Sequence, residues 1–103
     1  MSYFRPKKQV ATPTTGQTVT IANSNVDTRL VLNPAGLISA LTIVMPTTPF
    51  DGQLIHICSS QIITVITMTS GVTIFSALST FGSANSFAGW VYDSANTSWF
   101  RIT

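Results

Sequence analysis

Residues 41–58 (LTIVMPTTPFDGQLIHIC) hold two short runs of apolar, largely β-branched side chains on either side of Pro46, Pro49 and the Asp51-Gly52 pair. Branching at Cβ suits a pleated, packed backbone, and Pro and Gly interrupt it where the chain must reverse. The stretch predicts two neighbouring strands joined by a wide turn. The polar members of the two runs are Thr42, Gln53 and His56, so the runs are built for packing.

The same pattern recurs along the chain. Residues 17–21 (QTVTI) alternate polar and apolar, with Val19 and Ile21 on one face and Thr18 and Thr20 on the other, which describes a half-buried strand. Asn23-Ser24-Asn25-Val26-Asp27 and Asn33-Pro34-Ala35-Gly36 read as turns around a strand over 29–32. Further strands are expected over 62–68, 72–75, 87–92 and 98–102, with 76–86 as a loop and 93–97 closing a hairpin. No window places apolar residues at helical spacing, and Glu is absent, which removes a good helix former. The expected fold is all-β, a small antiparallel β-sandwich or barrel of about eight short strands. Residues 1–15, with Pro6 and Pro13 and no apolar period, read as an extended N-terminal arm, and residues 16–103 as a single all-β domain.

Charged residues make up 8% of the chain and hydrophobic ones 45%, against about 25% charged in a typical soluble protein. A domain of 103 residues buries only about 60–70% of the surface its unfolded chain exposes. Apolar area must therefore remain outside, to be covered by lipid or by protein. A membrane helix needs about 20 consecutive apolar residues, and the runs here are far shorter. The basic start leads into Gln9-Val10-Ala11-Thr12-Pro13, so no signal peptide is expected. Protein partners are the remaining cover, with a homo-oligomer foremost. Strand 54–58 is apolar on both faces, and Leu54, His56 and Cys58 are expected to meet a sister subunit. Three of the five basic residues lie in the first eight positions. Nucleic-acid binding calls for cations spread over a folded face with aromatics between them, and it is not expected. Tyr3 and Phe4 beside Arg5, Lys7 and Lys8 instead suit docking of the arm into an acidic groove.

Chemistry-bearing residues are sparse. Cys58 is the single cysteine, which excludes an internal disulfide and reads as a buried thiol. His56 stands between Ile55 and Ile57 without companions at ligand spacing, so no metal site is expected. Asp27, Asp51 and Asp93, the only acids, sit in turn-like contexts where capping is their usual work. No nucleophile is paired with a base, so no enzymatic activity and no cofactor are expected. Trp90, Tyr92, Trp99 and Phe100 crowd the last hairpin. They could stack on sugars, but the reading preferred here places Trp90 and Trp99 in the core or at the oligomer interface.

The stretches LVLNPAG (30–36), LTIVMP…DGQLIHI (41–57), TVITM…GVTI (64–74) and GWVYD…SWFRI (89–102) together resemble a β-rich module of tailed-phage virion proteins, found in head-decoration (cement) proteins and in fibre domains. The resemblance implies a trimeric, β-sheet structural protein of the outer capsid surface, with the major capsid protein as partner and no catalytic residues. A chain running from its own Met1 to Thr103 fits a standalone decoration protein better than a fibre. Two alternatives are a receptor- or carbohydrate-binding fibre or tail tip, and a head-completion protein.

Overall fold

The computed structural model describes residues 6–103. Among them every regular element is a β-strand: β1 (Lys7–Ala11), β2 (Gln17–Thr20), β3 (Thr28–Leu32), β4 (Leu41–Val44), β5 (Leu54–Ser59), β6 (Ile66–Thr69), β7 (Thr73–Ile74), β8 (Ser86–Asp93) and β9 (Ser98–Arg101). They form a six-stranded sheet in the order β1-β3-β5-β8-β9-β7 and a three-stranded sheet in the order β2-β4-β6.

From β1 to β6 the chain alternates between the two sheets, so it winds as a coil. Each turn of the coil lays a strand parallel to the one before it: Lys7 lies beside Thr28, which lies beside Ile55, and Gln17 lies beside Leu41, which lies beside Ile66. The corners stack as well. Asn33 N–H donates to Ala11 O, and Ser60 N–H to Leu32 O. Gly16 N–H donates to Ala40 O, while Leu41 N–H donates to Val65 O. Backbone groups that a turn would leave unpaired are thereby satisfied by the next turn of the coil.

Alternation along each strand sends one side chain in two to the shared core. Thr28, Leu30 and Leu32 of β3 and Ile55, Ile57 and Ser59 of β5 are buried from the large sheet. Val19 of β2, Leu41 and Ile43 of β4 and Ile66 of β6 are buried from the small one. The apolar members form a single cluster with Ile21, Met45, Trp90 and Trp99. Full burial of each such aliphatic side chain contributes about 1.5–3 kcal/mol, which makes this interface between the sheets the main source of stability.

Two expectations are corrected. The antiparallel pairing holds only for β5 with β8 and for the β8–β9 hairpin, and the other five pairings are parallel. Likewise, β4 and β5 are not hydrogen-bonded neighbours, because residues 45–53 carry the chain across the core from the small sheet to the large one. The arm is corrected in part. Residues 7–11 are the edge strand of the large sheet, and Ala11 packs against the core. Tyr3, Phe4 and Arg5 lie outside the described residues.

The two ends of the coil are finished differently. Residues 75–81 fold over β6: Ile66 N–H donates to Ser79 O, and Leu78 and Phe81 are buried. At the other end the Gln9 side chain bridges the sheets, donating to Thr20 O at 2.7 Å and accepting from Ala22 N–H at 3.1 Å. A polar closure of this kind keeps the exposed end of a coil soluble.

Candidate functional site

Strand register sorts the outward side chains of the large sheet into rows that cross the strands. Residues level with one another in adjacent strands project to the same side. One row runs Val10, Val31, Cys58, Phe87. The next runs Lys8, Arg29, His56, Gly89. A third runs Leu54, Val91, Phe100, and Phe75 extends it by stacking on Phe100 with ring centroids 4.9 Å apart. A basic row thus lies between two apolar ones.

This face is solvent-exposed where it is most apolar. Phe87 is 68% exposed, Val10 53% and Phe75 47%. Leu54 and His56 are half-buried, as expected for outward residues flanked by neighbouring strands. Cys58, expected as a buried thiol, is exposed. It shares the outward parity of Leu54 and His56, and the inward positions of β5 belong to Ile55, Ile57 and Ser59.

His56 keeps its place because Gly89 has no side chain. A Cβ on Gly89 would lie 2.6 Å from His56 Cδ2 and 2.9 Å from Thr103 Cγ2. The imidazole therefore occupies the space opposite the glycine.

Trp90 and Trp99 are corrected as oligomer-interface residues, since both are completely buried within the chain itself. In β8, positions 88, 90 and 92 face the core, and positions 87, 89 and 91 face out. Trp90 Nε1–H donates to Phe75 O at 3.2 Å, and the Arg101 guanidinium lies 5.5 Å from the Trp90 ring centroid. Tyr92 and Trp99 pack at a 56° tilt with centroids 5.1 Å apart. No indole is left outside to stack on a sugar.

The aspartates serve turns. Asp27 Oδ1 accepts Leu54 N–H at 2.9 Å, Asp51 Oδ1 accepts Ser94 N–H at 3.0 Å, and Asp93 accepts from Ala95 N–H and Asn96 Nδ2. Among the described residues, no three His, Cys, Asp or Glu side chains are grouped so as to hold a metal ion.

Of the residues singled out from sequence, the fold brings together Lys8, Leu54, His56 and Cys58 on one face. Lys7 has the inward parity of β1, although its side chain is exposed. Sequence reasoning missed Val10, Arg29, Val31, Phe75 and Phe87, and singled out Phe100 only as one of the aromatics of the last hairpin. Strand parity, with Gly89 and Asp93 sharing the phase of Phe87, was the available signal for part of this set. No protein-family model matches the chain, and no curated protein matches it.

Proposed function

We propose that this chain is a structural attachment protein, a capsid decoration protein that binds the outer shell of a tailed phage as an oligomer, with a trimer as the preferred state. The observation that carries the reading is the outer face of the large sheet, where Val10, Phe87, Phe100 and Phe75 stand in rows and are substantially exposed. Aromatic side chains held on a rigid sheet, with their entropy already restricted by strand neighbours, suit the core of a protein interface. The resemblance of residues 30–102 to virion modules supplies the kind of assembly. Two sheets sharing one core act as a sandwich-like slab with one face turned to partners. Binding of such a subunit to assembled shells alone stabilises them by mass action.

The test uses shells assembled without the protein. Purified protein is expected to bind them saturably, at hundreds of copies per particle, and to raise the temperature at which they rupture. The exposed Cys58 thiol is expected to react with a maleimide in the free subunit and to be protected on the shell. Shells that bind nothing, or that bind the protein with no change in rupture temperature, would refute the reading. A dozen copies or fewer would point to head completion.

A further inference from the structure

Four strands lie at sheet edges, β1 and β7 in the large sheet and β2 and β6 in the small one. The chain deals with three of them. The β6 edge is covered by residues 75–81, through Ser79 O on Ile66 N–H and Leu78 N–H on Met68 Sδ. The β2 edge is clipped by the Gln9 amide, because Ile21 N–H faces β4 and Thr20 O and Ala22 N–H face outward onto Gln9. β7 is two residues long, and the carbonyls just beyond it, Phe75 O and Ser76 O, accept from Trp90 Nε1–H and Arg101 Nη1.

The β1 edge differs. Lys7 N–H donates to Asp27 O, and Ala11 O accepts from Asn33 N–H, so Lys7, Gln9 and Ala11 turn their backbone groups to β3. By alternation, the N–H and C=O of Lys8 and Val10 point away from the sheet. Among the described residues, nothing pairs with the backbone groups that Lys8 and Val10 present on this five-residue strand, the template on which another extended chain adds.

We propose that β1 is a strand-addition site for an extended segment of another protein that carries a carboxylate and, two residues away, an apolar side chain. The rows on the outer face dictate that pattern. A seventh strand beside β1 places one outward residue next to Lys8, extending the row Lys8, Arg29, His56, and another next to Val10, extending the row Val10, Val31, Cys58, Phe87. Lys8 and Arg29 stand side by side with their side chains exposed, and the aspartates that could answer them are committed to turns. Acidic side chains must come from elsewhere. A second copy does not supply them, since β1 reads KKQVA and two such strands would join lysines without an acid. A nucleic acid offers phosphates but neither a backbone to pair with the edge nor side chains for the apolar row. The inference deepens the attachment reading and rests on it for the existence of a protein partner.

The probe is a blocked peptide, Thr-Glu-Thr-Val-Thr-Glu-Thr-Val, titrated to millimolar concentration into the full-length protein and followed by amide NMR. Its counterpart with Lys for Glu and a thymidine oligonucleotide are run alongside. The Glu peptide is expected to shift the Lys8 and Val10 amides and to bind about tenfold more tightly than the Lys peptide, as several exposed ion pairs together allow. The double variant Lys8→Glu/Arg29→Glu is expected to reverse that preference. Val10→Pro removes an N–H the sheet does not use, a replacement an edge strand tolerates, so binding should be lost with the melting temperature nearly unchanged. Equal binding of the two peptides, undiminished binding by Val10→Pro, tighter binding of the oligonucleotide, or self-association through β1 would each overturn the proposal. Shell binding separates the two levels. If shells bind and the peptide does not, the strand-addition site falls and attachment stands; if shells do not bind, attachment itself falls.

Discussion

Replacing Gly89 by alanine tests the register of the large sheet at the point where it holds the candidate face together. The added methyl would lie 2.6 Å from His56 Cδ2, 3.1 Å from His56 Nε2 and 2.9 Å from Thr103 Cγ2. Overpacking of this kind costs about 1–3 kcal/mol. It is opposed by the lower entropy of the unfolded chain when Gly becomes Ala at an ordinary φ, about 0.4–1 kcal/mol in favour of folding. Gly89 is absent from the positive-φ positions, so that gain applies here. Because the His56 ring is half-buried and can swing outward, and the Thr103 atom met is a side-chain methyl, the net loss for Gly89→Ala should be about 1 kcal/mol, a fall in melting temperature of about 4–8 °C for a domain of this size. In a His56→Ala background the ring is gone, and the same Gly89→Ala change should be neutral or stabilising by about 0.5 kcal/mol. Urea unfolding of the four proteins at one fixed protein concentration reads both numbers, the concentration being held because any association feeds into apparent stability. An equal loss from Gly89→Ala in both backgrounds would mean that His56 does not lie over Gly89, and the pairing of β5 with β8 would have to be redrawn.

Trp90→Ala is expected to cost about 3–5 kcal/mol, because the ring is fully buried and its N–H is bonded to Phe75 O; a thermal melt that stays put would refute its core position. Intrinsic tryptophan fluorescence of the native protein should be blue-shifted and poorly quenched by acrylamide, since Trp90 and Trp99 are both enclosed. Gln9→Ala removes both hydrogen bonds of the clip between β1 and the end of β2. The loss should be about 1 kcal/mol, with faster hydrogen exchange at the Ala22 amide and little change in β8. Asp27→Ala should cost about 1 kcal/mol through the lost acceptor for Leu54 N–H, whereas Asp27→Asn, which keeps an oxygen in place, should recover most of it. Comparable losses for the two Asp27 variants in urea unfolding would show that the hydrogen bond is not what the residue contributes.

Strand identity was readable because it is local, and strand partnership was not. In QTVTI the alternation of Thr18 and Thr20 with Val19 and Ile21 reports which side is buried, and β2 buries Val19 as that pattern says. The same alternation is compatible with a parallel or an antiparallel neighbour. What distinguishes them is the connection. Residues 12–16, 21–27, 33–40, 45–53 and 60–65, the links between β1 and β6, run five to nine residues, where hairpin loops take about two to five. The one hairpin correctly expected, β8 to β9, is closed by residues 94–97. Four of the five coil links exceed the hairpin range, and only 12–16 falls at its upper limit. The link 45–53, read as a wide turn between neighbours, instead spans the thickness of the core.

The composition required an apolar surface but could not place it, because placement depends on parity and register together. In β8 both phases are apolar: Phe87 and Val91 on one, Ala88, Trp90 and Tyr92 on the other. Hydrophobicity alone does not decide which phase faces inward. The phase that also carries Gly89 and Asp93 is the one that tolerates solvent, and the opposite phase places the Trp90 N–H within reach of an acceptor, Phe75 O. Once that choice is made for β8, pairing with β5 leaves Leu54, His56 and Cys58 outside, pairing on to β3 adds Arg29 and Val31, and β1 adds Lys8 and Val10. Lys8, Arg29 and His56 are 21 and 27 residues apart along the chain and one strand spacing apart in the sheet. No fixed sequence period links those intervals, so a row of basic side chains that looks scattered in one dimension becomes a continuous feature only after the coil is wound. Sequence reasoning noted that three of the five basic residues fall in the first eight positions; the fold sets one of them, Lys8, beside Arg29 of the body, next to the edge strand β1.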